Sequence, residues 1–299
     1  MHLLIFGLAA LAGTALVSLA TPGSATGPDS LKACTLSRKA ADGAELSVPF
    51  RVVDGRIYVT ARVDGKGPFL FAIDTGASGM GRADVSLVTT LAIPVTGSGH
   101  TSDGVSRAEV KTVRLRSIDL GGFVRRDLEV PARDYNSKQA PEAAFSGILG
   151  REFFGDGLLV IDYPARRLTF TRAVALTGDG DGILPYERAF RVPVSIGETK
   201  TQGNLDTGAN VSFVLPKSLF ERVGGGAIEA AGDGKLTNTV VSTGKAMMPG
   251  PFRIGAAALS NVEVRVSDRY PELLVGAHAL QHFVMLIDQR YKRVALCPP

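Results

Sequence analysis

The residues best suited to chemistry in this chain are two acids in the same short setting. They are Asp74-Thr75-Gly76-Ala77-Ser78 and Asp206-Thr207-Gly208-Ala209-Asn210. Each acid ends an apolar approach: Phe69-Leu70-Phe71-Ala72-Ile73 leads into the first and Leu205 into the second. A glycine after the acid permits close backbone approach, and a threonine between them offers a hydroxyl that can hold the loop. Two such loops brought together would place two carboxylates within hydrogen-bond reach. Both cannot ionise cheaply there, so one proton is shared and the two affinities split. The ionised member can take a proton from water, and the protonated member can donate one to a carbonyl oxygen.

The elements that must position these acids repeat as well. The first acid is followed by Gly147-Ile148-Leu149-Gly150, then by Leu159-Val160-Ile161-Asp162. The second is followed by Leu273-Leu274-Val275-Gly276, then by Met285-Leu286-Ile287-Asp288. Gly150 and Gly276 stand 126 positions apart, as do Asp162 and Asp288, and the two acids stand 132 apart. Such order-preserving spacing marks a duplication at domain scale. Within each half the pattern is mainly that of strands. Ile57, Val59, Ala61 and Val63 alternate between the turn signals Asp54-Gly55 and Asp64-Gly65. Val192, Val194 and Ile196 alternate in the second half, as do Val262, Val264 and Val266. Short helical pieces are predicted around 151–154 and 277–283. The glycine-rich 177–182 segment reads as a linker that resembles a calcium loop only superficially, because the bidentate glutamate is missing. Gly224-Gly225-Gly226 reads as a loop without phosphate-binding spacing.

A chain of 299 residues that is 45% hydrophobic can fill one large or two modest cores. Its 35 glycines and lack of tryptophan favour turns and strands over long helices. A net charge of +4 without a basic block gives nucleic acid no obvious surface. Residues 3–20 carry no charge and lead into small residues, the pattern of a secretory signal peptide over 1–25. An uncleaved membrane anchor is the rival reading, weakened by the run's Gly, Ala, Ser and Thr content. Both place the body outside the cytoplasm, periplasmic or secreted, with no stable membrane association once a signal is cleaved. The two cysteines, Cys34 and Cys297, lie at the ends of the expected mature chain. In an oxidising compartment they are expected to form one disulfide; the alternative is a pair of buried thiols. A lipid-anchor reading of Cys34 is poorer, because Lys32 and a polar stretch separate it from the apolar run.

The doubled Asp-Thr-Gly, each followed by two hydrophobics and a glycine, resembles the paired signatures of pepsin and retropepsin-like aspartic proteases. The resemblance covers roughly residues 45–297. It implies an all-β fold of two similar retropepsin-like β-barrel lobes (the acid protease fold) with few short helices. The expected boundaries are an N-terminal lobe over 26–176, a linker over 177–191 and a C-terminal lobe over 192–299. By position, Asp74 and Asp206 would form the dyad. Thr75 and Thr207 would lock the loops to each other, and Gly76 and Gly208 would permit their geometry. Ser78 would bond the outer oxygen of Asp74, while Asn210 replaces the hydroxyl or acid expected beside Asp206. Gly150 and Gly276 would belong to loops crossing behind the site. A flap hairpin is implied too. Residues 96–104 are the first candidate and lack the flap tyrosine of pepsin-like enzymes, which favours a retropepsin-like relation; residues 242–245 are the second candidate.

The implied activity is aspartic endopeptidase chemistry on a peptide or protein substrate, by a monomer, without metal or cofactor. The alternative is a secreted peptide-binding protein with a non-hydrolytic cleft. Other features read as structural. His278 and His282 are four apart but lack the glutamate of a metalloprotease helix, so solvent-facing histidines are expected. Asp162 and Asp288 precede turn residues and are expected to stabilise hairpins. No serine or cysteine stands in a nucleophile setting such as Gly-x-Ser-x-Gly.

Overall fold

The computed structural model describes residues 32–137, 141–180, 182–188, 190–236 and 238–298. The expected signal segment, 1–25, lies outside them. Three sheets carry the described chain. An eight-stranded sheet belongs to the first half and a nine-stranded sheet to the second. A six-stranded sheet joins the two halves. The fold is the all-β, two-lobed architecture that the resemblance implied.

Local sequence accounts for the first strands. The strand Arg56–Val63 is preceded by a tight turn at Asp54-Gly55 and followed by another at Asp64-Gly65. Both residues of each turn have positive φ, 50° and 79° in the first and 53° and 77° in the second. That is the geometry that matches hairpin twist, and Asp-Gly adopts it with little strain. The strand buries Ile57, Val59, Ala61 and Val63 as its sequence alternation predicts, and Tyr58 between them as well. It pairs with Arg107–Leu120 through Arg62 and Asp119, besides its hairpin partner Lys66–Ile73, which curls the sheet.

The apolar-apolar-glycine runs take their place beside the acids. In the first half, Gly147–Leu149 pairs in parallel with the acid's approach strand Lys66–Ile73 and antiparallel with Gly81–Asp84. In the second, Leu273–Gly276 lies between Thr199–Asp206 and Phe213–Pro216 in the same way. Both runs are buried throughout, which is why they are continuous hydrophobic stretches and not alternating ones. The acid loop must therefore pass over the end of the central strand. Gly150 and Gly276 sit at that crossing. A Cβ on Gly150 would lie 2.9 Å from the Ala77 carbonyl oxygen, and one on Gly276 2.7 Å from that of Ala209. Short helical turns follow at Arg151–Phe154 and Ala277–Leu280, as the sequence predicts.

The shared sheet is centred on Leu158–Asp162 and Val284–Asp288, the duplicated apolar strands, which pair antiparallel with Val160 opposite Leu286. Asp162 and Asp288 close the turns after these strands. Asp162 accepts from Ala165 N–H at 2.8 Å, and Asp288 from Arg290 N–H at 3.1 Å. Ile183–Pro185, inside the segment expected as a linker, pairs with Arg293–Cys297 at the sheet's edge. One face of this sheet continues the core of both lobes. The other is covered by the helix Lys32–Asp42, whose Ala33 and Ala40 pack over Leu158, Val160, Val284 and Leu286. Burying each of those larger aliphatic side chains stabilises the fold by roughly 1.5–3 kcal/mol. Cys34 on the helix and Cys297 on the last strand form a disulfide, with Cα atoms 5.6 Å apart.

Candidate active site

Asp74 lies just past the C-terminal end of one approach strand, and Asp206 ends the other. Their loops meet at the boundary between the lobes. The Thr75 N–H donates to the Thr207 hydroxyl oxygen at 3.1 Å, and the Thr207 N–H donates to the Thr75 hydroxyl oxygen at 3.0 Å. Each hydroxyl then donates across the boundary. Thr75 Oγ1 reaches the Leu205 carbonyl at 3.0 Å, and Thr207 Oγ1 the Ile73 carbonyl at 2.9 Å. Both threonines are buried, so these four bonds satisfy groups that water does not reach. A buried donor left unpaired costs more than a made bond returns, and the interlock therefore fixes the two loops together.

The glycines come next. A Cβ on Gly76 would lie 2.6 Å from the Asp206 carboxyl carbon, and one on Gly208 would lie 2.5 Å from that of Asp74. Each glycine thus packs against the acid of the opposite lobe, and no larger residue fits. Each carboxyl is also oriented by its own loop. Ala77 N–H donates to Asp74 Oδ1 at 2.9 Å, and Gly208 N–H donates to Asp206 Oδ1 at 2.8 Å.

Burial pushes the Asp206 carboxyl well above the usual carboxylate range, and the adjacent charge of Asp74, with which it is in hydrogen-bond contact, pushes it further. Its backbone bonds to Gly208 and Ala209 only partly offset this. A pair sharing one proton, with Asp206 holding it, can both accept a proton from water and donate one to an oxygen.

Two supporting residues lie elsewhere than expected. Among the described residues the Ser78 hydroxyl makes no bond to Asp74. The loop turns Ser78 outward, and its carbonyl accepts from Arg82 Nη1 at 2.6 Å. The bond to Asp74 comes from the Ala77 backbone instead. Asn210 likewise does not reach Asp206; its Nδ2 donates to Asp54 Oδ2 at 2.5 Å. Asp54 also meets His278 Nε2 at 2.9 Å. Burial raises the Asp54 carboxyl, but the bonds from Asn210 and His278 outweigh it and hold the group below its ordinary value. His278 is thus a partly exposed partner in a clasp between the lobes, not a simple solvent-facing residue, whereas His282 is exposed. No cluster of three or more metal-ligating side chains occurs among the described residues.

Two hairpins extend from the two lobes. The first joins Val95–Ser102 to Arg107–Leu120, with its tip at 103–106 and most of the expected 96–104 segment along its first strand. The second joins Glu229–Lys235 to Val240–Met248, with Asn238 in its tip. Residues 242–245, the second expected flap, lie within a strand of that hairpin. The tips are bonded to each other around Asn238. Its Nδ2 donates to the Thr101 carbonyl at 3.1 Å and the Ser106 carbonyl at 3.2 Å, and its N–H donates to Asp103 Oδ2 at 2.7 Å. Its Oδ1 accepts from Arg133, and the Ser106 and Thr239 hydroxyls are 2.5 Å apart. Nothing in the sequence singled out Asn238 or Tyr270, which faces the first tip. Asn238 belongs to no repeated pattern, and Tyr270 matches Tyr135 only in its place after a strand of each lobe.

A family model described as aspartyl protease matches residues 59–153 and 192–279, once in each lobe. Those spans contain one Asp-Thr-Gly each. No curated protein matches the chain.

Proposed function

The chain belongs to the aspartyl protease family, and from that membership we propose that it is an endopeptidase in which Asp74 and Asp206 activate one water molecule. The observation that carries the reading is the crossed packing of Gly76 against Asp206 and Gly208 against Asp74, which brings both carboxyls to the lobe boundary.

The pair starts with one shared proton, held on Asp206. The water oxygen attacks the peptide carbonyl carbon while Asp74 takes one of its protons. Asp206 gives its proton to the carbonyl oxygen, and a neutral gem-diol forms. Collapse returns a diol proton to Asp206 and re-forms the carbonyl. Asp74 delivers its proton to the amide nitrogen as the C–N bond breaks. One water is consumed, a carboxylic acid and an amine leave, and no covalent acyl-enzyme forms. The aspartates act as base and acid within a single geometry, so the loops need no rearrangement between steps.

Both dyad members come from one chain, which supports action as a monomer on a peptide or protein substrate. The Cys34–Cys297 disulfide supports a periplasmic or secreted location, since such bonds persist in oxidising compartments. The test is digestion of unfolded protein and a quenched-fluorescence peptide library across pH 3 to 7, with Asp74→Asn and Asp206→Asn alongside. Cleavage by the native chain and its loss in both variants are expected. Equal turnover in all three would exclude the dyad. Saturable peptide binding without cleavage would favour a binding protein.

A further inference from the structure

Among the described residues, one aromatic side chain stands in the cleft with its polar end uncommitted. Tyr270 lies on the connection between the strands Val262–Ser267 and Leu273–Gly276, the second of which pairs with the strand that carries Asp206. Its backbone is fixed. Ser267 Oγ accepts from both the Arg269 and Tyr270 N–H groups at 3.2 Å, and Pro271 follows. Its ring meets the first hairpin tip at Gly104. A Cβ there would lie 3.7 Å from Tyr270 Cε2 and 3.9 Å from its hydroxyl. Gly104 has φ +86°, a conformation that suits glycine, and the phenol lies at ordinary contact distance from it. The side chain is half-buried, and its hydroxyl makes no hydrogen bond among the described residues.

Three neighbours define what this phenol faces. The charges of Asp206, Glu272 and Asp103 all raise its proton affinity after burial, so it remains an O–H donor through the whole neutral range. On its other side is an open groove of about 490 Å³, lined by Tyr270 and Pro271 together with Lys217, Glu221 and Asp268. The first lobe offers a contrast. Tyr135 occupies the matching connection, after the strand Phe123–Arg133, but its ring packs on Phe145 with centroids 6.0 Å apart and its N–H is held by Asp84. Tyr135 thus packs against a ring of its own lobe, whereas Tyr270 has no aromatic partner among the described residues.

We propose that Tyr270 is a positioning residue for the peptide. Standing between the first hairpin tip and Asp206, its hydroxyl donates to a substrate backbone carbonyl next to the scissile bond, and its ring forms the wall between the dyad and the adjoining groove. That groove receives a basic substrate side chain at Glu221, since Lys217 and Asp268 at its rim are paired with each other at 4.0 Å. The inference rests on the proteolytic reading above. A bond made to a carbonyl that does not itself react is equally strong in ground and transition states, so it acts on KM and leaves kcat nearly unchanged.

The experiment compares the full-length chain with Tyr270→Phe and Tyr270→Ala. It measures kcat and KM on one quenched-fluorescence peptide selected from a library. It also measures the affinity of a statine-containing peptide by calorimetry, which needs no turnover, and thermal melting. Tyr270→Phe is expected to raise KM about ten-fold with kcat within about two-fold, and to weaken the statine peptide by a similar factor, at unchanged melting temperature. Tyr270→Ala is expected to lose more of both. Native values of KM and statine affinity in Tyr270→Phe would overturn the proposal while leaving the protease reading intact. So would a loss confined to kcat, or one that follows a lowered melting temperature. A native chain that neither cleaves peptide nor binds the statine peptide would overturn the protease reading itself, and this proposal with it.

Discussion

Thr75 and Thr207 bond to each other reciprocally, each backbone N–H to the other's hydroxyl oxygen, at 3.1 and 3.0 Å. Because each hydroxyl then donates to the strand carrying the opposite acid, neither lobe's loop is complete without its counterpart.

Thr207→Val keeps the volume and removes one hydroxyl. It strands the Thr75 N–H and the Ile73 carbonyl, two buried groups at about 1–3 kcal/mol each. We expect a loss of roughly 2–4 kcal/mol in denaturant unfolding. The activity lost should exceed what the unfolded fraction explains. A cost below about 0.5 kcal/mol would show that the interlock contributes little.

Gly76→Ala and Gly208→Ala test the crossed packing. A methyl group at 2.5–2.6 Å from a carboxyl carbon must displace that carboxyl. Peptide turnover should fall at least about a hundred-fold, since small misplacement of reacting groups costs that much. The melting temperature should fall far less than in Thr207→Val. Near-native turnover would mean that the loops relax without moving the acids.

The raised proton affinity of Asp206 sets a sign for stability against pH. The folded state holds this proton more tightly than the unfolded chain does, so the contribution is full below about pH 4, where an unfolded aspartate titrates. It is lost progressively as pH rises from there through the folded value. Asp206→Asn cannot lose a proton, so its unfolding free energy should overtake that of the native chain as pH is raised from 4 toward neutrality. Parallel urea titrations at stepped pH check this. Curves that stay parallel would mean that Asp206 titrates normally.

The disulfide joins the ends of the described chain across 263 positions. Replacing Cys34 and Cys297 with serine should cost roughly 2–5 kcal/mol, and reducing agent should lower the native chain's midpoint but not the variant's. Equal midpoints with and without reductant would show that the helix Lys32–Asp42 is held by packing alone.

Asn238→Ala should free the two hairpin tips from each other. Amides at 101–106 are expected to exchange about ten-fold faster or more, because several bonds worth about 1 kcal/mol each are lost together. Global stability should change little, since the tips lie at the surface. Unchanged exchange would mean that the Ser106–Thr239 pair holds the tips without Asn238.

The periodic elements were legible from the chain alone. Alternation at 57–63 and the Asp-Gly turns specify a hairpin through local sterics, and a fully apolar run ending in glycine specifies a buried strand under a crossing loop. Ser78 and Asn210 were not legible. Their roles depend on the course of the loops, which turns one hydroxyl outward and carries one amide to Asp54. The second hairpin tip was misplaced by several residues because a glycine in a strand reads like a glycine in a turn: Gly244 lies within Val240–Met248.

The sequence by itself determined that there are two matched halves, that each presents an acid on a tight glycine loop, and that a buried strand backs each loop. Those are statements about chemistry and period, which are encoded locally. Only the tertiary structure decided that each glycine meets the opposite acid, that burial pushes Asp206 toward its protonated form, and that Asn238 and Tyr270 meet the first hairpin tip. Each of these depends on distances between residues more than a hundred positions apart or on the burial that their meeting creates, and local pattern carries neither.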